Sequence, residues 1–378
     1  MKITKKEISS LLGGFAFMLI IAIPSIKMVI VSTDLLNFIP LLLILFMIIL
    51  NYPDTIAKKK LINLMPFYIF FFILFFSILI NPSALKNISY LIKYILLAIY
   101  TILFPILIKD KSISIGLNLL MIWCAIISIY QIVRGIPLNE FHYLHVGLPI
   151  GVLILIGFSN IFYSKSKIKI LVNIFWIILG YMSLFTLFGR SPIIFSFLLI
   201  IFVLILKSFL ENSFKAKLFY SLSIAIIAVI AIWTINNYIP QYLIDRFLRI
   251  SSNIAEEPRM NAVYIPAIRA IVSNPLGYGL GSSWEAIGFY PHNIFLEVTL
   301  ETGIIGLMSF MTITIIFLVS CFYFLKRFNG FKTNYLALVL IALYHFLFWN
   351  VSHDLSSAYG LLPLMSIVYF KYLEKKKN

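Results

Sequence analysis

Residues 71–80 read FFILFFSILI, ten positions with Ser77 as the one polar side chain and no face left for water. A membrane β-strand would alternate polar and apolar residues over about ten positions, so this window excludes a barrel and reads as the interior of a membrane helix. Working outward, apolar runs of comparable character recur from end to end, most of them long enough to cross about 30 Å of hydrocarbon as a helix. They occupy 11–31, 35–50, 61–80, 88–108, 113–133, 146–163, 168–188, 191–210, 218–239, 294–325, 333–349 and 355–372, twelve windows in all. Of the 378 residues 62% are hydrophobic and 12% charged, about half the charge of an ordinary soluble domain. The expected fold class is an all-α membrane protein of about twelve transmembrane helices, a single polytopic domain over 1–378 with no stretch left for a soluble one. The first run lacks a small-residue cleavage site and eleven others follow it, so it reads as a retained span and not a signal peptide.

The formal charge of +16 would suit a nucleic-acid partner if it were spread over a surface. It is not spread. With the N-terminus placed inside, the inward segments carry twenty-one basic residues, from Lys2, Lys5 and Lys6 through Lys58–Lys60 to Lys375–Lys377, against five acids. Outer loops and span interiors together hold nine of each sign, so the whole excess lies on one face. That is the positive-inside bias at every alternate loop, which implies cytoplasmic termini and removes the need for nucleic acid. Cys124 and Cys321 fall within spans and form neither a disulfide framework nor a zinc pattern.

Arginine runs against this bias. Of seven arginines only Arg327 is inward, while Arg134, Arg190, Arg246, Arg249, Arg259 and Arg269 fall on the outer side. Lysine serves where charge alone is wanted, so arginine used against the orientation rule points to its planar fork of donors, which suits phosphate oxygens. Individual arginines also have a plain alternative as interfacial anchors or partners of Asp245, Glu256 and Glu257. Histidine keeps to the same side: His142, His145, His292 and His353 are outward, and only His345 lies within a span. A neutral imidazole can take a proton from a hydroxyl. For His142 and His145 simple tolerance at an interface is the preferred reading; their spacing gives no third metal ligand, and no metal is expected.

One connection is long enough to hold structure of its own, the outer loop 240–293. Its segment RMNAVYIPAIRAIVS, Arg259 to Ser273, reads as an amphipathic surface helix started or interrupted at Pro266. NPLGYGLGS, Asn274 to Ser282, follows; its three glycines make a turn or bring amide donors towards an anion. Then comes PHNIFLEVTLETGIIGL, Pro291 to Leu307, where Asn293, Glu297 and Glu301 recur every four residues as one polar stripe entering a membrane helix. Ionisable groups at that depth cost several kcal/mol unless they have partners, so a role is expected for them. Gly303 and Gly306 would admit a second helix close by.

The ordered pattern R…NPLGYGLG…PHN…E.G..G over Arg259 to Leu307 resembles the shared core of the O-antigen ligase and O-antigen polymerase family, and the late outer loop among twelve spans fits the same family. The resemblance implies a glycosyltransferase C-type helical bundle in the bacterial inner membrane, with no cofactor and no required metal. It implies transfer of a glycan, with inversion, from a polyprenyl (undecaprenyl) diphosphate carrier to a glycan or lipid acceptor, and a chain-length regulator protein as a candidate partner. His292 is similar to the family's essential loop histidine and Arg259 to its loop arginine. Arg190, in Gly189-Arg190-Ser191-Pro192, is similar to an arginine at the outer end of a helix, although the family carries Ser or Thr before it and Gly after it. On this reading Arg190, Arg259 and Arg269 hold the departing diphosphate and His292 accepts the proton of the attacking hydroxyl. Asn293, Glu297 or Glu301 would hold the imidazole or the acceptor, and Asp354 beside His353 is a reserve base. Polymerisation of repeat units is the preferred activity, ligation to lipid A core the first alternative, and transport of the same lipid the second. No internal repeat favours transport.

Overall fold

The computed structural model describes residues 4–30, 33–51, 61–80, 88–134, 143–187, 189–238, 259–327, 330–331 and 333–377. Among these the chain is helical, with no strand. The principal helices are α1 (Lys5–Val29), α2 (Ile39–Asn51), α3 (Met65–Phe76), α4 (Ile88–Ile102), α5 (Phe104–Leu107), α6 (Asp110–Arg134), α7 (Tyr143–Tyr163) and α8 (Lys167–Phe185). They continue as α9 (Ser191–Leu210), α10 (Phe214–Tyr238), α11 (Ile265–Ser273), α12 (Ser283–Ile287), α13 (Ile294–Arg327), α14 (Tyr335–Trp349) and α15 (Leu362–Lys377). The early part of the expected outer loop, with Arg246, Arg249, Asp245, Glu256 and Glu257, lies outside the described residues, as does His142.

Among the described residues seven helices are long and apolar enough to cross a membrane by length and composition: α1, the α4–α5 pair, α6, α7, α8, α9 and α13. Four apolar helical segments are shorter, covering Asp34–Leu50, Met65–Leu79, Met260–Ser273 and Tyr335–Trp349. The chain is therefore a multi-pass helical membrane protein. The window expected at 355–372 starts late, because Asp354 caps a 3-10 turn at Leu355–Ser357 and the helix proper begins at Leu362.

The centre of the bundle is α14 against α7. Along α14 Tyr335 to Ala342, Tyr344, His345, Phe348 and Trp349 are buried, which covers every face of the helix. Gly151 of α7 makes room for its neighbour: a Cβ there would fall 2.0 Å from the Tyr344 hydroxyl, the small-residue device by which membrane helices approach closely. The periphery is the reverse. On α8, Ile168, Leu171, Phe175, Ile178, Met182 and Phe185 are all exposed and recur at three and four residues as one stripe. Such a face would be a liability in water and is at rest against lipid.

The two ends differ as the charge pattern predicts. Asp110 at the start of α6 accepts from the Tyr335 hydroxyl at 2.7 Å and pairs with Lys375 at 2.8 Å and Lys371 at 3.5 Å. Glu7, in the capping box that starts α1, lies 3.9 Å from Lys111. The first turns of α1, α6 and α14 and the last turn of α15 thus share one lysine-rich end.

Near the opposite end α13 is broken. Gly303 has φ +68 and ψ −167, which no helix accommodates, and the NPLGYGLGS segment fills the gap with backbone. Tyr278 N donates to Leu300 O at 2.8 Å, Gly279 N to Glu301 O at 2.9 Å, and Ile304 N to Pro275 O at 3.0 Å. Helical carbonyls and an amide orphaned by the break are satisfied by the loop, the requirement imposed wherever water is scarce. The glycine-rich segment therefore directs its amides at α13, at its carbonyls and at the Glu301 side chain, and what Gly303 admits is this loop, not a second helix. A Cβ on Gly303 would fall 2.4 Å from the Leu276 carbonyl carbon and 2.5 Å from Pro275 O. Gly303→Ala is expected to lower the melting temperature of the purified protein through a strained φ, worth ~1–3 kcal/mol, and a backbone clash besides. Gly288→Ala, at φ +72 with nothing within 4 Å, should show the first effect alone; equal melting temperatures for the two variants would contradict the account of the break.

Candidate active site at the histidine end of the bundle

The site is assembled from the loop before α13, the loop between α14 and α15, the beginning of the Arg259 segment, and the first turns of α7 and α9. Asn293 starts α13 as its cap, its side-chain oxygen accepting from Phe295 N at 3.0 Å and Leu296 N at 3.2 Å. Its amide donates to Asn350 O at 3.3 Å, which ties the start of α13 to the end of α14. His292 precedes this cap at φ +52, a left-handed conformation that a residue with a Cβ adopts only when its surroundings hold it there. Its ring centroid lies 4.1 Å from that of Tyr290, and its Nδ1 is buried with no hydrogen-bond partner among the described residues.

Arg259 reaches the same place from the far side. Its Nη1 donates to Val351 O at 2.9 Å, so the α14–α15 loop fixes one edge of the guanidinium. Burial pushes the His292 imidazole down to about 4, and the positive charge of Arg259 pushes in the same direction. The ring is therefore neutral at neutral pH, and the two groups are close enough to feel each other.

The α14–α15 loop repeats the pattern of strain. His353 has φ +65 and is 8% exposed. Its ring stacks on Trp349 at 4.6 Å and lies 5.4 Å from His145 at the start of α7. Its Nε2 is buried and unpartnered among the described residues. Burial, then the neighbouring histidines His145, His345 and His292, hold its pKa well below the usual imidazole range. Asp354 next to it accepts from Ser357 N at 3.1 Å, Ser356 Oγ at 2.9 Å and the Tyr90 hydroxyl at 3.3 Å.

The polar stripe of α13 is occupied in fastening these loops. Glu297, 3% exposed, accepts from Leu355 N at 2.8 Å. Glu301, 1% exposed, accepts from Ser283 Oγ at 3.0 Å, from the Tyr94 hydroxyl at 3.3 Å and from Gly281 N. One carboxylate pins the His353 loop and the other pins the glycine-rich segment, each to the same helix. Among the described residues neither bonds His292, nor does Asn293.

The remaining expected residues divide. Arg190 stands directly before α9, half-buried. It belongs to the same end, because a Cβ on Gly147, two residues into α7 from His145, would meet Pro192 Cγ at 2.5 Å. Arg269 lies on α11, where Pro266 follows a π turn at Met260–Tyr264 and so marks a change of helix type within one helical segment; Arg269 is exposed, with no contact to the cluster among the described residues. His145 was the residue that spacing alone undervalued: its neighbour is His353, more than two hundred positions away in the chain.

Residues 174–311 match the family model described as O-antigen ligase, which supports the family that the sequence pattern resembles. The matched stretch includes Arg190, Arg259, Arg269, His292, Asn293, Glu297 and Glu301, whereas His145, His353 and Asp354 lie outside it. No curated protein matches the chain.

Proposed function

We propose, from the chain's place in the O-antigen ligase family, that this membrane protein polymerises lipid-linked repeat units, moving a glycan from polyprenyl diphosphate to a sugar hydroxyl. The match over 174–311 supports the broader statement, a ligase- or polymerase-type function on lipid-linked glycans. The single observation that supports transfer from a diphosphate donor is Arg259, held by Val351 O beside the neutral, half-buried His292; the choice of polymerisation rests on the family resemblance.

The acceptor hydroxyl attacks the anomeric carbon, and the bond from that carbon to the diphosphate oxygen breaks on the opposite face, which gives inversion. His292 takes the hydroxyl proton, and the negative charge that grows on the leaving diphosphate rests on the guanidinium groups of Arg259 and Arg190. Preorganised donors of this kind stabilise the charge without a metal. An imidazole at about 4 is a poor base while the site is empty. A bound diphosphate counters the charge of Arg259 and raises it, so proton acceptance is coupled to the presence of donor. His353 and Asp354 support the loop that holds Arg259, and Arg269, exposed and remote from the cluster, is left out of the mechanism.

The same reading sets twelve spans in the bacterial inner membrane, with both termini at the lysine-rich end in the cytoplasm and the His292 end facing the periplasm. A chain-length regulator is the partner such a polymerase would have. The family's description favours a second reading, ligation to lipid A core, which uses the same donor and differs in the acceptor. Glycan profiles of a deletion strain separate the two: a single repeat capping the core is the expected outcome, and full-length chains stranded on the carrier lipid would replace polymerase by ligase. Purified protein that elongates repeats in detergent, with no second compartment, would exclude transport.

A further inference from the structure

An open cavity of about 790 Å³ lies at the lysine-rich end, remote from His292. It is formed where α9, α13 and α15 finish. Five cations line it, Lys207, Lys326, Arg327, Lys375 and Lys376, and its one acid is Glu211. Leu210, Tyr323 and Phe331 supply an apolar wall beneath them.

Two features separate this cavity from a merely basic face. Lys207 is 6% exposed and sits within the field of Glu211, so it is a fixed part of the lining and not a freely moving surface charge. Three of the other four cations are held in an ordered rim: Arg327 stacks over Tyr323 at 4.7 Å, Lys376 over Tyr372 at 5.5 Å, and Lys375 bonds Asp110 at 2.8 Å. Lys326 is exposed and has no partner among the described residues. Glu211 and Asp110 together offset two of the five charges. Three helix C-termini offset about half a charge each, so between one and two positive charges remain. That remainder matches one phosphodiester and is too small for a multiply charged diphosphate.

We propose that this cavity binds the phosphodiester headgroup of an anionic membrane phospholipid, with the acyl–glycerol junction against Leu210, Tyr323 and Phe331. The site is independent of the transfer reaction and lies on the opposite side of the bilayer from it. Each cation that touches the bound headgroup contributes about a fivefold factor in affinity for it.

The test uses the purified full-length protein in nanodiscs of phosphatidylcholine with graded phosphatidylglycerol, retained lipid being counted by native mass spectrometry. Lys326→Gln with Arg327→Gln is expected to weaken phosphatidylglycerol retention by about twenty-fivefold, and Lys326→Gln alone, on the exposed rim, by about fivefold. Lys165→Gln with Lys167→Gln removes two exposed lysines at the same end but outside the cavity, and should change retention less than about twofold. Equal losses in the two double variants would reduce the site to general surface charge and overturn the proposal. Unchanged retention in the rim variants, or displacement of the lipid by millimolar inorganic phosphate, would overturn it as well.

Discussion

Replacing His292 with alanine is expected to reduce glycan transfer by about 10²–10⁴-fold while leaving membrane insertion and melting temperature close to wild type. The asymmetry follows from the position of the residue. His292 makes no hydrogen bond through its buried Nδ1 and sits at φ +52, so its removal takes away no structural bond. What is lost is the one neutral imidazole beside Arg259. The acid limb of kcat/KM should lie near 4 and not near the ordinary value of 6.5, because burial and the Arg259 charge disfavour protonation in the free protein. Stability carries the same sign. The unfolded chain binds protons at His292 below about 6.5 while the folded chain binds them only near 4, so the contribution is complete above 6.5 and is lost as pH falls through 4. His353, held low by burial, adds in that direction. His292→Ala should therefore lose activity and flatten part of the acid slope of the melting curve together. Full activity in this variant would end its assignment as base.

The second large effect is expected at Arg259. Arg259→Lys keeps the charge but replaces the planar fork with a point ammonium, and transfer should fall by about 10²–10³-fold, the loss typical when one transition-state donor is removed. Binding of uncharged acceptor should change little, so the loss is read in kcat. Arg269→Lys is the internal control, since that side chain is exposed and makes no contact with the cluster. If Arg259→Lys retained full activity, two-point recognition of phosphate at this position would be wrong.

Much of this was legible in the sequence because it depended on local composition. The lysine bias grouped the inward segments before any helix was placed, and three of its residues meet in space at one end, Asp110 with Lys371 and Lys375. PHN at a loop-to-span junction singled out His292, and the i, i+4 stripe singled out Glu297 and Glu301. The part that was not legible depends on partners distant in sequence. The stripe says that two carboxylates share a helix face, but not that Leu355 N and Ser283 Oγ are waiting for them. In the structure they fasten loops, an arrangement that periodicity cannot distinguish from one that holds substrate. Gly303 likewise looks like a helix-packing glycine until the backbone of Pro275–Gly279 is seen to replace the helix hydrogen bonds there. The approach of His145 to His353 had no local signal at all.

The most direct measurement is a cryo-EM structure of the protein with polyprenyl diphosphate bound. The account requires phosphate oxygens at about 3 Å from the Arg259 guanidinium, with His292 lining the same cavity. A diphosphate lodged among Lys207, Lys326 and Arg327 at the opposite end, with the Arg259 guanidinium out of reach of any phosphate, would contradict it.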